Sequence, residues 1–189
     1  GRRHEVFALF GRLDEAGRLR FLRRLSQVQG PQVEGFWDAL FDLRDPNAPF
    51  GNFRSALKRA HTLRFIAGAV PERTVQLLEA GLIVTSREER LAISGNRRRE
   101  LMWALEQLLF RSKTSRRALR LIWLLAEAEN EKWGNNATGV LKECFHPMHG
   151  QMPLPLDERL EVLKEILFPE RSVELRLIGV QAIESALSL

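Results

Sequence analysis

"RRELMWALEQLLFRSKTSRRALRLIWLLAEAEN", residues 98–130, decides the fold class. Leu101, Leu105, Leu108 and Leu109 recur at three- and four-residue intervals, and Leu119, Ile122, Trp123 and Ala126 resume the rhythm after a short polar break. This spacing lays one apolar stripe along each of two helices. A break as short as Arg111-Ser112-Lys113-Thr114 folds such helices back on each other as an antiparallel hairpin.

Working outward, the rhythm returns at Leu160, Leu163, Ile166 and Leu167, and again at Leu175, Ile178, Ala182, Ile183 and Ala186. No stretch sustains the alternation of a β-strand, tyrosine is absent, and "LIVT" at 82–85 stands isolated. The expected fold is all-α, with helices over 4–12, 15–28, 32–43, 52–68, 72–80, 87–93, 97–111, 115–130, 136–146, 157–167 and 173–187. Asp14, Ser86, Thr114 and Ser172 are candidate N-caps. Gly30-Pro31, Val70-Pro71, Gly134 and His146-Pro147 read as stops.

One internal similarity suggests stacking. With Phe110 set on Phe168, Leu105 meets Leu163, Leu108 meets Ile166, Thr114 meets Ser172 and Leu119 meets Leu177. Antiparallel hairpins of this kind are the unit of α-solenoids, so an irregular, HEAT/armadillo-like solenoid is expected. We expect one helical-repeat domain over 1–189, with "RDPNAPFG" at 44–51 a possible divide between 1–45 and 52–189. The abrupt start at "GRRHEVF" and the apolar end at "VELRLIGVQAIESALSL" suggest a piece of a longer chain.

Composition narrows the function classes. The net charge is +5, from 29 basic and 24 acidic residues, and only five of the basic residues are lysines. Arginine forks onto carboxylates and phosphates and packs its stem on apolar surface, so the bias suits ion-pair networks as well as nucleic acid. Residues 87–120 hold ten basic against four acidic side chains, and 121–170 reverse the balance. Such neighbours can neutralise each other or recruit a partner. Arg97, Arg98, Arg99, Arg111, Lys113, Arg116, Arg117 and Arg120 are the candidate contacts for an anionic partner; nucleic acid is the alternative partner class that they raise. Trp103 and Trp123, in apolar surroundings, read as core.

The interruption "WGNNATGVLKECFHPMHGQMPLPLDERL", residues 133–160, holds the one cysteine. Cys144, His146 and His149 are weak metal candidates, because a closed zinc site needs a fourth ligand that the stretch does not supply. A structural joint accounts for more of it. Gly134 would end one helix, Asn135 or Asn136 would cap the next, Pro147 would stop it, and Met148 and Met152 would fill gaps. No nucleophile elbow, P-loop or zinc-protease motif is present, and no cofactor or catalytic residue is expected. A lone cysteine and no stretch of roughly 18 apolar residues point to a reducing, cytoplasmic setting without a membrane partner.

Residues 97–187 resemble the irregular helical-repeat regions of large bacterial STAND-type P-loop NTPases, among them antiphage defence sensors. The residues that carry the resemblance are Trp133, Asn135, Asn136, Ala137, Thr138, Phe145, Pro155, Leu156, Arg159 and Leu160. The resemblance implies a non-enzymatic sensor or scaffold segment that binds protein or sister domains, with any nucleotide chemistry elsewhere in a parent chain.

Overall fold

Short turns with identifiable caps cut the chain into helices, and in the computed structural model every regular element among the described residues is helical. The structure describes residues 2–28, 30–147, 152–168 and 172–187. The helices are α1 (Arg2–Arg12), α2 (Glu15–Gln27), α3 (Pro31–Leu40), α4 (Phe53–Leu57), α5 (Ala60–Ala69), α6 (Pro71–Leu82), α7 (Arg87–Leu91), α8 (Gly95–Leu109), α9 (Ser115–Glu127), α10 (Ala137–Glu143), α11 (Leu156–Leu167) and α12 (Val173–Leu187). Asp14 caps α2 by accepting from the Gly17 amide at 2.7 Å, and Ser86 forms a reciprocal capping box with Glu89 on α7. Ser172 accepts from the Leu175 amide at 3.2 Å.

Three expectations need correction. The single helix over 52–68 is two, α4 and α5, broken at Lys58 and Arg59. Thr114 does not cap α9 through its side chain. Its backbone is already helical (φ −119°, ψ −12°), and its hydroxyl turns back to donate to the Leu108 carbonyl at 2.6 Å. The helix from 115 ends at Glu127 and not at Gly134, because its last carbonyls are taken by a side chain described below.

Trp103 and the two tryptophans nearest it behave differently. Trp123 is buried, as its stripe requires, but Trp103 and Trp133 are only partly covered. Leu101 and Leu105 face the core, and a residue midway between them on a helix faces away.

One buried apolar cluster runs from Val6 to Ala182. The 44–51 stretch belongs to it: Phe50 is fully buried, with its ring 5.8 Å from Phe10 and 5.1 Å from Phe41, and its amide donates to the Leu40 carbonyl at 2.8 Å. Val70 alone joins α5 to α6, and Pro71 supplies a preset first turn.

Helix directions follow from side-chain pairs. Arg98 near the start of α8 reaches the carbonyls of Leu125 and Ala128 at the end of α9, so these two run antiparallel. Lys113 pairs with Glu72 and Arg117 with Glu79, so α6 and α9 ascend together. Arg116 pairs with Glu158 and Arg120 with Glu165, so α9 and α11 also ascend together. Arg64 of α5 lies over Trp103 of α8, and Gly68 of α5 lies beside Gln107 of α8, which sets those helices in the same direction. Bonded partners on neighbouring helices are 38, 43 and 45 residues apart in Arg117–Glu79, Arg111–Gly68 and Arg120–Glu165.

α6 lies tight on α4 at Gly81, where an added Cβ would fall on the Phe53 side chain. Gly81→Ala should therefore lower stability by about 1–3 kcal/mol in urea unfolding. Gly11→Ala, in a helix position with open space around it, should instead be neutral or add up to about 1 kcal/mol.

Candidate functional site

The basic cluster divides into three environments. Arg98 is fully buried. Its guanidinium donates to the carbonyls of Arg90 (3.2 Å), Ile93 (3.4 Å), Leu125 (2.6 Å) and Ala128 (2.8 Å), and lies 3.4 Å from Glu129. Burial pulls its pKa down, and Glu129 and Glu131 oppose that pull. One side chain thus closes the C-terminal ends of both α7 and α9, where helix carbonyls lack intrahelical partners. Arg98 is therefore not a surface contact for an anionic partner.

Lys113, Arg116, Arg117 and Arg120 form the second environment, an ionic seam on both flanks of α9. Lys113 meets Glu72 at 3.0 Å and Arg116 meets Glu158 at 3.9 Å. Arg117 brings two nitrogens to one oxygen of Glu79, and Arg120 grips Glu165 bidentately, one nitrogen to each oxygen, at 3.0 and 2.5 Å. The glutamates are seven residues apart on α6 and again on α11, two helical turns, so each pair presents to one flank. Arg111 donates to the Gly68 carbonyl at 3.2 Å, at the end of α5. Arg90, Arg98, Arg116 and Arg120 of the basic stretch 87–120 thus meet carboxylates of the acidic stretch after it, whereas Lys113 and Arg117 take theirs from α6.

Arg97 and Arg99 are the third environment. Both are exposed, and neither enters an ion pair among the described residues. Arg99 lies over the Trp133 ring, 5.1 Å from its centroid. Beside it opens a groove that periodicity alone leaves unassigned. One cavity of about 310 Å³ is lined by Arg99, Met102, Trp103, Trp133, Gly134 and Asn135. The next, about 630 Å³, lies between α2, α5 and α8 and includes Arg23, His61, Arg64, Phe65, Glu100 and Trp103. A third, about 340 Å³, continues past Glu106 and Gln107 to Arg111. All three share Trp103, so they meet around that side chain.

Arg64 stacks on Trp103 with its guanidinium carbon 5.3 Å from the ring centroid. Burial raises the pKa of Glu100 and of Glu106, partly offset in each by Arg64. The buried His61 Nε2 has no hydrogen-bond partner, and burial lowers the His61 pKa against the opposing pull of Glu15. The groove thus carries alternating charges over an aromatic floor.

The 133–160 interruption is a joint where the structure describes it. Asn136, and not Asn135, caps α10 by accepting from the Gly139 amide at 2.8 Å, and its own amide donates to the Glu131 carbonyl at 2.8 Å. Glu129 accepts from the Thr138 amide at 3.1 Å. Arg159 closes α10 by donating to the Cys144 carbonyl at 2.5 Å. Cys144 is buried in the core, where desolvation pushes its thiol up to about 12 against the pull of Arg159. His146 is half-buried, while Met148 and His149 lie outside the described residues. Among the described residues, no three His, Cys, Asp or Glu side chains are placed to hold a metal.

Comparison with protein-family models, with curated proteins and with solved structures finds no match for this chain.

Arg98→Met keeps the bulk but removes the buried donors to four carbonyls and the cation beside Glu129, and should cost about 3–5 kcal/mol in chemical denaturation. The Cys144 thiol stays protonated far above neutral pH, so a disulfide probe at pH 8 should label it at the rate of unfolding and not that of an exposed thiol.

Proposed function

We propose that this chain is a non-enzymatic helical scaffold or sensor segment, built as an irregular HEAT-like α-solenoid, that binds protein or packs against sister domains. The observation that carries this reading is the recurrence of same-direction helices roughly 40 residues apart, held on both flanks of α9 by the arginine–glutamate seam. A repeat of about 40–47 residues is the HEAT and armadillo period. The register between packed helices, and not the 58-residue similarity of Phe110 to Phe168, is the period that supports it.

A second support is the apolar row Phe168, Val173, Leu177, Val180 and Leu187 exposed on and beside α12, a surface of the kind a packed neighbour covers. Its opposite side is buried at Leu175, Gly179 and Ala182. The resemblance of residues 97–187 to STAND-type NTPase repeats suggests the larger setting, an antiphage defence sensor in a reducing cytoplasm. Among the described residues no helix is long and apolar enough to cross a membrane. Nucleic-acid binding by the 97–120 hairpin is the weaker reading, because Lys113, Arg116, Arg117 and Arg120 already hold carboxylates and Arg98 is buried.

Fluorescence polarisation with labelled single- and double-stranded 20-mers over a salt series tests the choice. The expected outcome is non-specific affinity only, with Kd no tighter than about 10⁻⁶ M at physiological salt. Submicromolar binding with a steep salt slope would overturn the protein-scaffold reading.

A further inference from the structure

A second set of arginines stands apart from the paired seam. Arg23, Arg64 and Arg99 line the groove and enter no ion pair among the described residues, in contrast to Lys113, Arg116, Arg117 and Arg120. Arg64 and Arg99 are each held over an indole, which orders the guanidinium while leaving its N–H edge available. Phe65 and Trp103 supply apolar floor between them.

We propose that the groove running from α2 across α5 and α8 to the Trp133 turn docks an extended acidic peptide segment of a partner protein. Side-chain carboxylates of the peptide bind Arg64 and Arg99, and an apolar side chain sits on Phe65 and Trp103. This rests on the protein-scaffold reading and names the site and partner chemistry within it.

Two features choose this occupant. The groove is cationic on balance, with Arg23, Arg64, Arg99 and Arg111 against Glu100 and Glu106. Those two glutamates stand among the arginines, so an unbroken row of phosphates would meet repulsion at each. A peptide can space its carboxylates to miss Glu100 and Glu106 and offer backbone N–H groups to them instead. The recesses that meet at Trp103 are lined from α2, α5, α8 and the Trp133 turn, a spread that suits a chain better than a compact small molecule.

The test is panning of a displayed random 12-residue peptide library on the immobilised full chain, with the Arg64→Gln/Arg99→Gln double variant for counter-selection. Both side chains are exposed, and circular dichroism checks that the variant keeps its helices. Selected peptides should be rich in Asp and Glu around an apolar residue. Their labelled copies should bind the double variant at least about tenfold more weakly, the loss expected when charged hydrogen bonds are removed. Lys113→Ala, on the seam, should leave the affinity unchanged. Absence of enrichment over the double variant, selection of basic peptides, or displacement of the peptides by oligothymidine would each overturn the assignment. The salt series above bears on the scaffold reading and panning on this groove, so the two can fail separately.

Discussion

Helix ends are the constraint on which this architecture depends. The twelve helices of the described residues, several of only five to seven residues, create many terminal carbonyls that no longer have an amide four residues on. Where such ends are buried, water cannot satisfy them. Arginine can, because one planar group presents five donors in a fixed fork. Arg98 closes α7 and α9 together, and Arg90 donates to Thr85 at 2.5 Å beyond the end of α6 and to Glu127 at 2.8 Å. Arg159 closes α10 and Arg18 donates to Phe10 at 3.1 Å near the end of α1. Part of the arginine excess in the composition thus goes to closing the ends of short rods.

α9 gathers these effects. Its inner faces are apolar, with Leu119, Leu121, Ile122, Trp123, Leu125 and Ala126 all buried. Its flanks carry charges that reach α6 on one side and α11 on the other. Its final turn is tied by Arg98, and the Glu127 carboxylate accepts from Arg90 and from Ser172 at 2.7 Å. A helix fixed on its faces, its flanks and its end has one register, and its neighbours inherit it.

Much of this was legible, and the exceptions have physical causes. Eleven rhythm-based segments anticipate the twelve helices of the described residues because Pro, Gly and Asx residues mark most turns. The break at Lys58 and Arg59 carries no such marker, so it stayed hidden. Within "RRR" at 97–99, a step of 100° per residue puts Arg98 nearest the middle of the leucine stripe, which is why it alone is buried. The same arithmetic puts Trp103 opposite Leu101 and Leu105, so its place in the groove could have been read from the spacing and its apolar neighbours misled. The groove itself could not, because Arg23, Arg64 and Arg99 come together only when α2, α5 and α8 pack. The cysteine and histidines of the 133–160 stretch drew attention as chemistry, but Asn136 and Arg159 there serve to end and begin helices.

Among the described residues the buried charged side chains are Arg90, Arg98 and Arg159, and none is lysine. A guanidinium keeps its proton through alkaline conditions in which a desolvated ammonium would give its proton up. Enzymes that acylate amines also find nothing to modify at these three corners. The bonds that hold the rods end to end are thereby placed beyond the reach of the commonest reversible marks on a positive side chain.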